Sequence, residues 1–291
     1  MKFAYMIMAH NEPYILMKLI NMLDYPENDI YLHVDRKSTC IDVSKLHVNF
    51  ANLTIVPSQK VTWGGKSQIS TELLLMEEAV KTKHDYYHLI SGVDLPLLAH
   101  ENMMTFFEKY YGDEFIGISP NWVQNSYISG RYKLHWFFQE MIGKQKNIIF
   151  FISRTITNME KIMHITRKRN ESTIFYGGPN WFSITEKAVF LILQHKDWIL
   201  KRFKSTICCD EIFCQTIIGN SVFGNKIHNF DADNPYEQCL RYVVFGQNSP
   251  FVLDMSDYDD IISSGCLFAR KFGTKTNSQK ELVDKIYTQF C

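Results

Sequence analysis

The chain has 291 residues, 46% hydrophobic and 14% aromatic, with 31 basic side chains balanced by 31 acidic ones. A chain of this length buries a large core, and its even charge argues against bulk nucleic-acid binding. No stretch approaches the roughly 18 apolar residues that a membrane-spanning helix needs, which leaves one large globular domain or two small ones.

Met1 to His10 is too short and too soon polar for a signal peptide and reads as a first core strand over Phe3–Ala9. A helix follows over Pro13–Leu23, with Asn11 as N-cap and Pro13 in its first turn. Further strands are expected at Ile30–Val34, Leu53–Val56, Tyr86–Ile90 and Glu114–Ile118. Between them Ile69, Leu73, Met76 and Val80 recur at helical spacing, which predicts a helix over Ser67–Lys83 capped by Ser67. This β-α-β succession predicts a largely parallel sheet covered by helices, with ligands at the carboxyl ends of its strands. Three polar clusters fall at such ends: His10-Asn11, Asp35-Arg36-Lys37 and Ser91-Gly92-Val93-Asp94.

Residues 121–170 are less regular and rich in aromatics, among them Trp122, Tyr127, Tyr132 and Trp136. From Arg131 to Arg169 nine Lys/Arg face two Asp/Glu. That excess fits a solvated helical face or, more sharply, docking onto an anionic membrane or acceptor. Order resumes with a Tyr176-Gly177-Gly178-Pro179 turn, a strand over Trp181–Ile184, a helix from Thr185 to about Gln194 and another over Asp210–Ile218. Seven cysteines without metal-finger spacing point to a reducing cytoplasm, with Cys208, Cys209 and Cys214 as buried thiols on a helix. There the sequons at Asn52 and Asn170 carry no consequence.

In Leu267-Phe268-Ala269-Arg270-Lys271-Phe272 two cations stand between apolar residues. A half-buried lysine needs an anionic partner, and a ligand phosphate is one. Arg241 lies in a similar apolar run, so it either pairs with a core carboxylate or joins Lys271 at a diphosphate. Glu211 follows Asp210 at a helix start. Capping suits Asp210, whereas the apolar neighbours of Glu211 suit a carboxylate raised toward general-base chemistry. Asp231-Ala232-Asp233 has the D-x-D form of a metal-binding motif but lies in a polar loop. Trp63-Gly64-Gly65-Lys66-Ser67 lacks the first glycine of a phosphate-binding loop. A metal site and an NTPase are both rejected.

Taken in order, His33-Val34-Asp35-Arg36-Lys37, Trp63-Gly64-Gly65-Lys66-Ser67, Ser91-Gly92-Val93-Asp94-Leu95-Pro96, Cys209-Asp210-Glu211, Leu240-Arg241-Tyr242 and the Leu267–Phe272 hexapeptide resemble the core-2/I-branching β-1,6-N-acetylglucosaminyltransferase family, which also contains peptide xylosyltransferases. The resemblance runs from about residue 3 to 273. It implies a single α/β domain of GT-A type, with a Rossmann-like nucleotide-binding half over 1–120 and an integrated acceptor-binding and catalytic half over 121–291. It further implies an inverting glycosyltransferase that uses neither metal nor cofactor. Arg241 and Lys271 would take the cation's place at the UDP diphosphate, and Glu211 would deprotonate the acceptor hydroxyl. Asp35 would meet the uridine, with His10, Asn11, Trp63, Ser91 and Asp94 on the donor side, and Trp181 and Tyr132 on the acceptor side.

Animal members carry a membrane anchor and stem, which are missing here, so the resemblance is to a bacterial member. That implies a cytoplasmic enzyme, peripheral on the inner face of the membrane through 131–169, acting in surface-polysaccharide synthesis. The donor would be UDP-linked GlcNAc, xylose, glucose or galactose, and the acceptor a saccharide, free or lipid-linked. The alternative is a non-catalytic nucleotide-sugar or glycan-binding protein on the same scaffold.

Overall fold

A computed structural model describes residues 1–119, 126–167, 173–246 and 249–291, with the side chains of 126–128 outside the description. Trp122 and the sequon at Asn170 lie outside the described residues, as do Lys168 and Arg169 of the basic stretch and the side chain of Tyr127.

The strands among the described residues are β1 (Phe3–Ala9), β2 (Asn28–Val34), β3 (Asn52–Ile55), β4 (Tyr86–Ser91), β5 (Leu95–Pro96), β6 (Phe182–Thr185), β7 (Arg241–Val243) and β8 (Phe268–Arg270). Alternation along β1 sends Phe3, Tyr5 and Ile7 into one core and Ala4 and Met6 into another. Both faces are therefore buried, the condition under which a parallel sheet is stable. The main sheet has the order β3-β2-β1-β4-β6, parallel except where β6 closes antiparallel on β4. The helix Pro13–Met22 packs Leu16 and Leu19 into the first core, and the helix Lys66–Ala79 packs Ile69, Leu73 and Met76 into the second. The result is the mixed α/β architecture with a parallel-rich sheet that the strand and helix periodicities predict.

Register brings the three polar clusters together. Ala9 pairs with Val34, and Met8 with Ser91, so β1, β2 and β4 deliver their polar successors to one edge. A second small sheet, β5-β8-β7, is built off the same end. Leu95 pairs with Ala269, and the Phe272 amide donates to Val93 O at 3.0 Å. These bonds hold the Phe268–Phe272 segment beside the crevice, with Phe268 and Phe272 fully buried.

Several boundaries differ from expectation. The N-cap of the first helix is Glu12 in the left-handed region, not Asn11. The Glu12 carboxylate accepts from Thr274 Oγ1 at 2.6 Å, which ties the helix start to the chain beyond β8. Gly65 occupies the N-cap of the second helix, which ends at Ala79. Ser67 lies within its first turn, where its hydroxyl accepts from the Thr62 amide at 2.8 Å and braces the Trp63-Gly64 turn. Glu114–Ile118 forms no ladder, only bridges from Glu114 to Ile227 and from Phe115 to Ser183. The helix expected over Asp210–Ile218 is broken at Ile212 (φ −135°), which separates a 3-10 turn over Cys209–Glu211 from a helix over Phe213–Gly219. All seven cysteines are free thiols.

Candidate active site

At the end of β2, Asp35 is buried and its carboxylate is already engaged. It accepts from the Lys37 amide at 2.9 Å, and Lys37 Nζ lies 3.4 Å away. His10, after β1, is exposed at the crevice. Burial and then the charge of Lys271 lower its pKa, against the opposing pull of Asp35. At the end of β4, Asp94 accepts from the Ser91 amide (2.8 Å) and hydroxyl (2.5 Å) and lies 3.2 Å from Arg270 Nε. The Arg270 guanidinium also covers the Trp181 ring at 4.4 Å. Arg270 thus has both an anion and an aromatic face within the protein.

Lys271 has neither. It is half-buried, and no carboxylate among the described residues lies within ion-pair distance. Burial, then the charges of Arg270 and Lys144, lower its pKa, and Glu12 only partly offsets them. Lys144, from the basic 131–169 stretch, also acts here. Its ammonium lies over the exposed Trp63 ring at 5.2 Å, and its charge reaches His10, Lys271 and Cys208. The crevice therefore holds several cations in excess of its free anions, an arrangement that attracts a phosphate-bearing ligand. Asn11 borders the crevice, half-buried, with no side-chain bond among the described residues.

Glu211 is half-buried, and its carboxylate meets Arg131 in a close ion pair. Its apolar sequence neighbours Cys209, Ile212 and Phe213 turn into the core, so the expected apolar environment of this carboxylate is corrected to a charged one. The buried carboxyl is Asp210. Among the described residues it caps nothing; its Oδ2 accepts from Gln68 Nε2 at 2.9 Å and its Oδ1 has no partner there. Burial, then the charge of Glu211, raises its pKa to about 7. Beneath it Glu72, also fully buried, is raised well above the carboxylate range by burial and by Asp210. The Gly178 amide donates to Glu211 O at 3.0 Å, which fixes the 3-10 turn against the Gly177-Gly178-Pro179 segment. Burial raises the pKa of the half-buried Tyr236, with lesser opposing influences of Glu211 and Arg270, so these two charges lie within electrostatic reach of one side chain.

Two candidates lie elsewhere. Arg241 is fully buried and bonds Cys239 O (2.6 Å), Phe182 O (2.9 Å) and Ser183 Oγ (2.9 Å), with Phe268 beneath it at 4.4 Å. It has no carboxylate partner among the described residues, where its Nε is also without a hydrogen-bond partner. Tyr132 is buried in the second core, stacked on Phe175 at 4.4 Å, and offers no open face to an acceptor. Arg131 and Lys144 were missed because the ion pair of Arg131 with Glu211 and the repulsion between Lys144 and Lys271 span distant segments without local periodicity.

Among the described residues no helix is long and apolar enough to cross a membrane, and no group of three or more His, Cys, Asp or Glu is placed to hold a metal ion. A family model described as Core-2/I-Branching enzyme matches residues 3–245. Two solved structures show a weak likeness, S. aureus TarS 1–349 (14% identity, TM-score 0.28) and S. aureus TarS (16%, 0.27). Each match covers 39% of this chain, and the chain spans 34% and 21% of theirs. No curated protein matches.

Proposed function

The chain belongs to the Core-2/I-Branching enzyme family, and from that premise we propose a glycosyltransferase that carries out inverting, metal-independent transfer from a UDP-sugar to a saccharide hydroxyl. The observation that carries the reading is Lys271, a half-buried cation with cationic neighbours, offset only in part by Glu12 and without an ion pair among the described residues. A diphosphate supplies the missing charge. Lys144 joins Lys271 at its rim, while Arg241 contributes its buried positive charge from below without touching the ligand. Fixed cations of this kind stabilise a departing UDP as a metal ion does elsewhere.

Glu211 is the base that takes the acceptor proton, positioned by Arg131, and Trp181 forms the acceptor side. The nucleotide lies against the 1–120 half, at His10, Asn11, Asp35, Trp63, Ser91 and Asp94. The donor sugar is GlcNAc, xylose, glucose or galactose, and the product belongs to a bacterial surface polysaccharide.

The test is a panel of UDP-sugars assayed in EDTA for thermal stabilisation and for UDP release with saccharide acceptors. Stabilisation with turnover in EDTA is expected. Activity lost in EDTA and restored by Mn²⁺ refutes metal independence. UDP-sugar binding without hydrolysis or transfer supports the non-catalytic reading.

A further inference from the structure

The helix Ile148–Ile162 is built inside out. The side chains it buries are Ser153 and Thr157, whose hydroxyls donate to Phe137 O (2.8 Å) and His135 O (2.9 Å). Its apolar stripe faces solvent instead: Ile148 is 75% exposed, Phe151 60%, Ile152 49%, Met159 53% and Ile162 78%. These positions recur at helical spacing, the pattern that a globular protein turns toward its core.

The surroundings are basic. From 131 to 167 there are seven Lys/Arg and only two acids, Glu140 and Glu160; Arg131 is taken by Glu211 and Arg167 by Ser205 O, Thr206 Oγ1 and Arg202 O, which leaves Lys133, Lys144, Lys146, Arg154 and Lys161. Both acids are engaged within the protein, Glu140 by the Ser67 amide (2.7 Å) and Glu160 by His135 (2.7 Å). Lys146 and Lys161 stand exposed at the two ends of the helix.

We infer that this face docks onto an anionic lipid membrane surface, with the helix in the interface plane and its apolar stripe among the acyl chains. A second copy of the chain is a poorer occupant. An isologous contact would set this basic surface against itself, and like-charge juxtaposition opposes association. An anionic bilayer satisfies both the stripe and the charge. Lys144, four residues before the helix, lies over the Trp63 ring at 5.2 Å, so docking brings the rim of the crevice to the lipid surface. The inference stands apart from the catalytic reading, because binding is measured without donor or acceptor.

Co-sedimentation of the full chain is measured with vesicles of phosphatidylcholine alone and with about a third phosphatidylglycerol. Binding to the anionic vesicles only, weakened by salt, is expected. Lys146→Ala with Lys161→Ala weakens it about 30-fold, at the usual contribution of a basic residue near an anionic surface. Phe151→Glu with Ile152→Glu weakens it at least about tenfold, with an unchanged melting temperature because both positions are exposed. Absence of binding to anionic vesicles, or binding unaltered by the double glutamate variant, overturns the inference. So does lipid-free dimerisation in sedimentation velocity that Ile152→Glu abolishes, which assigns the face to a second copy.

Discussion

Replacing Lys271 with methionine keeps most of the side chain's length and apolar bulk and removes its charge. In the unliganded protein that charge is disfavoured, since burial, Arg270 and Lys144 all oppose it and no ion pair offsets them among the described residues. The substitution therefore relieves repulsion, and the melting temperature should hold or rise slightly. With UDP bound the balance reverses. Two unit charges about 4 Å apart attract by about 4 kcal/mol at an effective dielectric near 20. Desolvation and residual solvent reduce a charge-assisted hydrogen bond to a net of about 1.5–3 kcal/mol, or roughly 10- to 150-fold in affinity.

Calorimetry should thus show UDP binding weakened on the order of 30-fold, while uridine, lacking the phosphates, binds almost as before. The wild-type affinity should also fall with rising pH earlier than an ordinary lysine dictates, because the pKa of Lys271 is lowered, and Lys271→Met should remove that dependence. UDP affinity within twofold of wild type would refute the reasoning. A melting temperature several degrees lower would also refute it, because Lys271 would then have a partner in the fold.

Glu211→Gln should reduce the transfer rate by about 10²- to 10⁴-fold and leave UDP binding intact; turnover retained at saturating substrates removes Glu211 as base. Gly178→Ala would place a Cβ 1.8 Å from Gly117 O, a clash between two backbones that no rotamer relieves. A loss of several degrees in melting temperature, together with lowered activity through the Glu211 turn, is expected, and an unchanged melt contradicts this packing. Glu114 is buried and raised to about 7 by that burial, so the folded protein retains a proton that the unfolded chain releases from about pH 4.5 upward. Its contribution is fully present below about pH 4.5 and declines as pH rises toward 7, by up to about 3 kcal/mol. Chemical denaturation should show Glu114→Gln gaining on the wild type between pH 5 and pH 8; parallel curves would exclude this linkage.

The parallel sheet was legible because its signals are local. Period-two alternation in Phe3–Ala9 and helical spacing from Ile69 to Met76 need no knowledge of the rest of the chain. Strand ends follow from strands, so His10, Asp35 and Ser91 could be placed on one edge. What escaped depends on contacts between distant segments. Asn11 is the better N-cap by type, but Glu12 holds the position because Thr274 draws its side chain. Arg241 reads as a ligand-facing cation until Phe182 O and Ser183 Oγ, from the antiparallel strand β6, are seen to take its donors. Tyr132 reads as one of many loop aromatics until Phe175 stacks upon it.

In the proposed reading, the adjacent cations Arg270 and Lys271 favour an anion without a metal, each in its own way. Arg270 commits its charge to Asp94 and its plane to Trp181, a use suited to a planar guanidinium. Lys271, one residue on, is left with charge to spare in a half-buried position between buried phenylalanines. A point charge on a flexible stem suits a phosphate whose geometry changes as its bond to sugar breaks. Were the two exchanged, the lysine could pair with Asp94 but could not cover the Trp181 ring as the guanidinium does. The division of labour, not the number of cations, is what makes this segment specific.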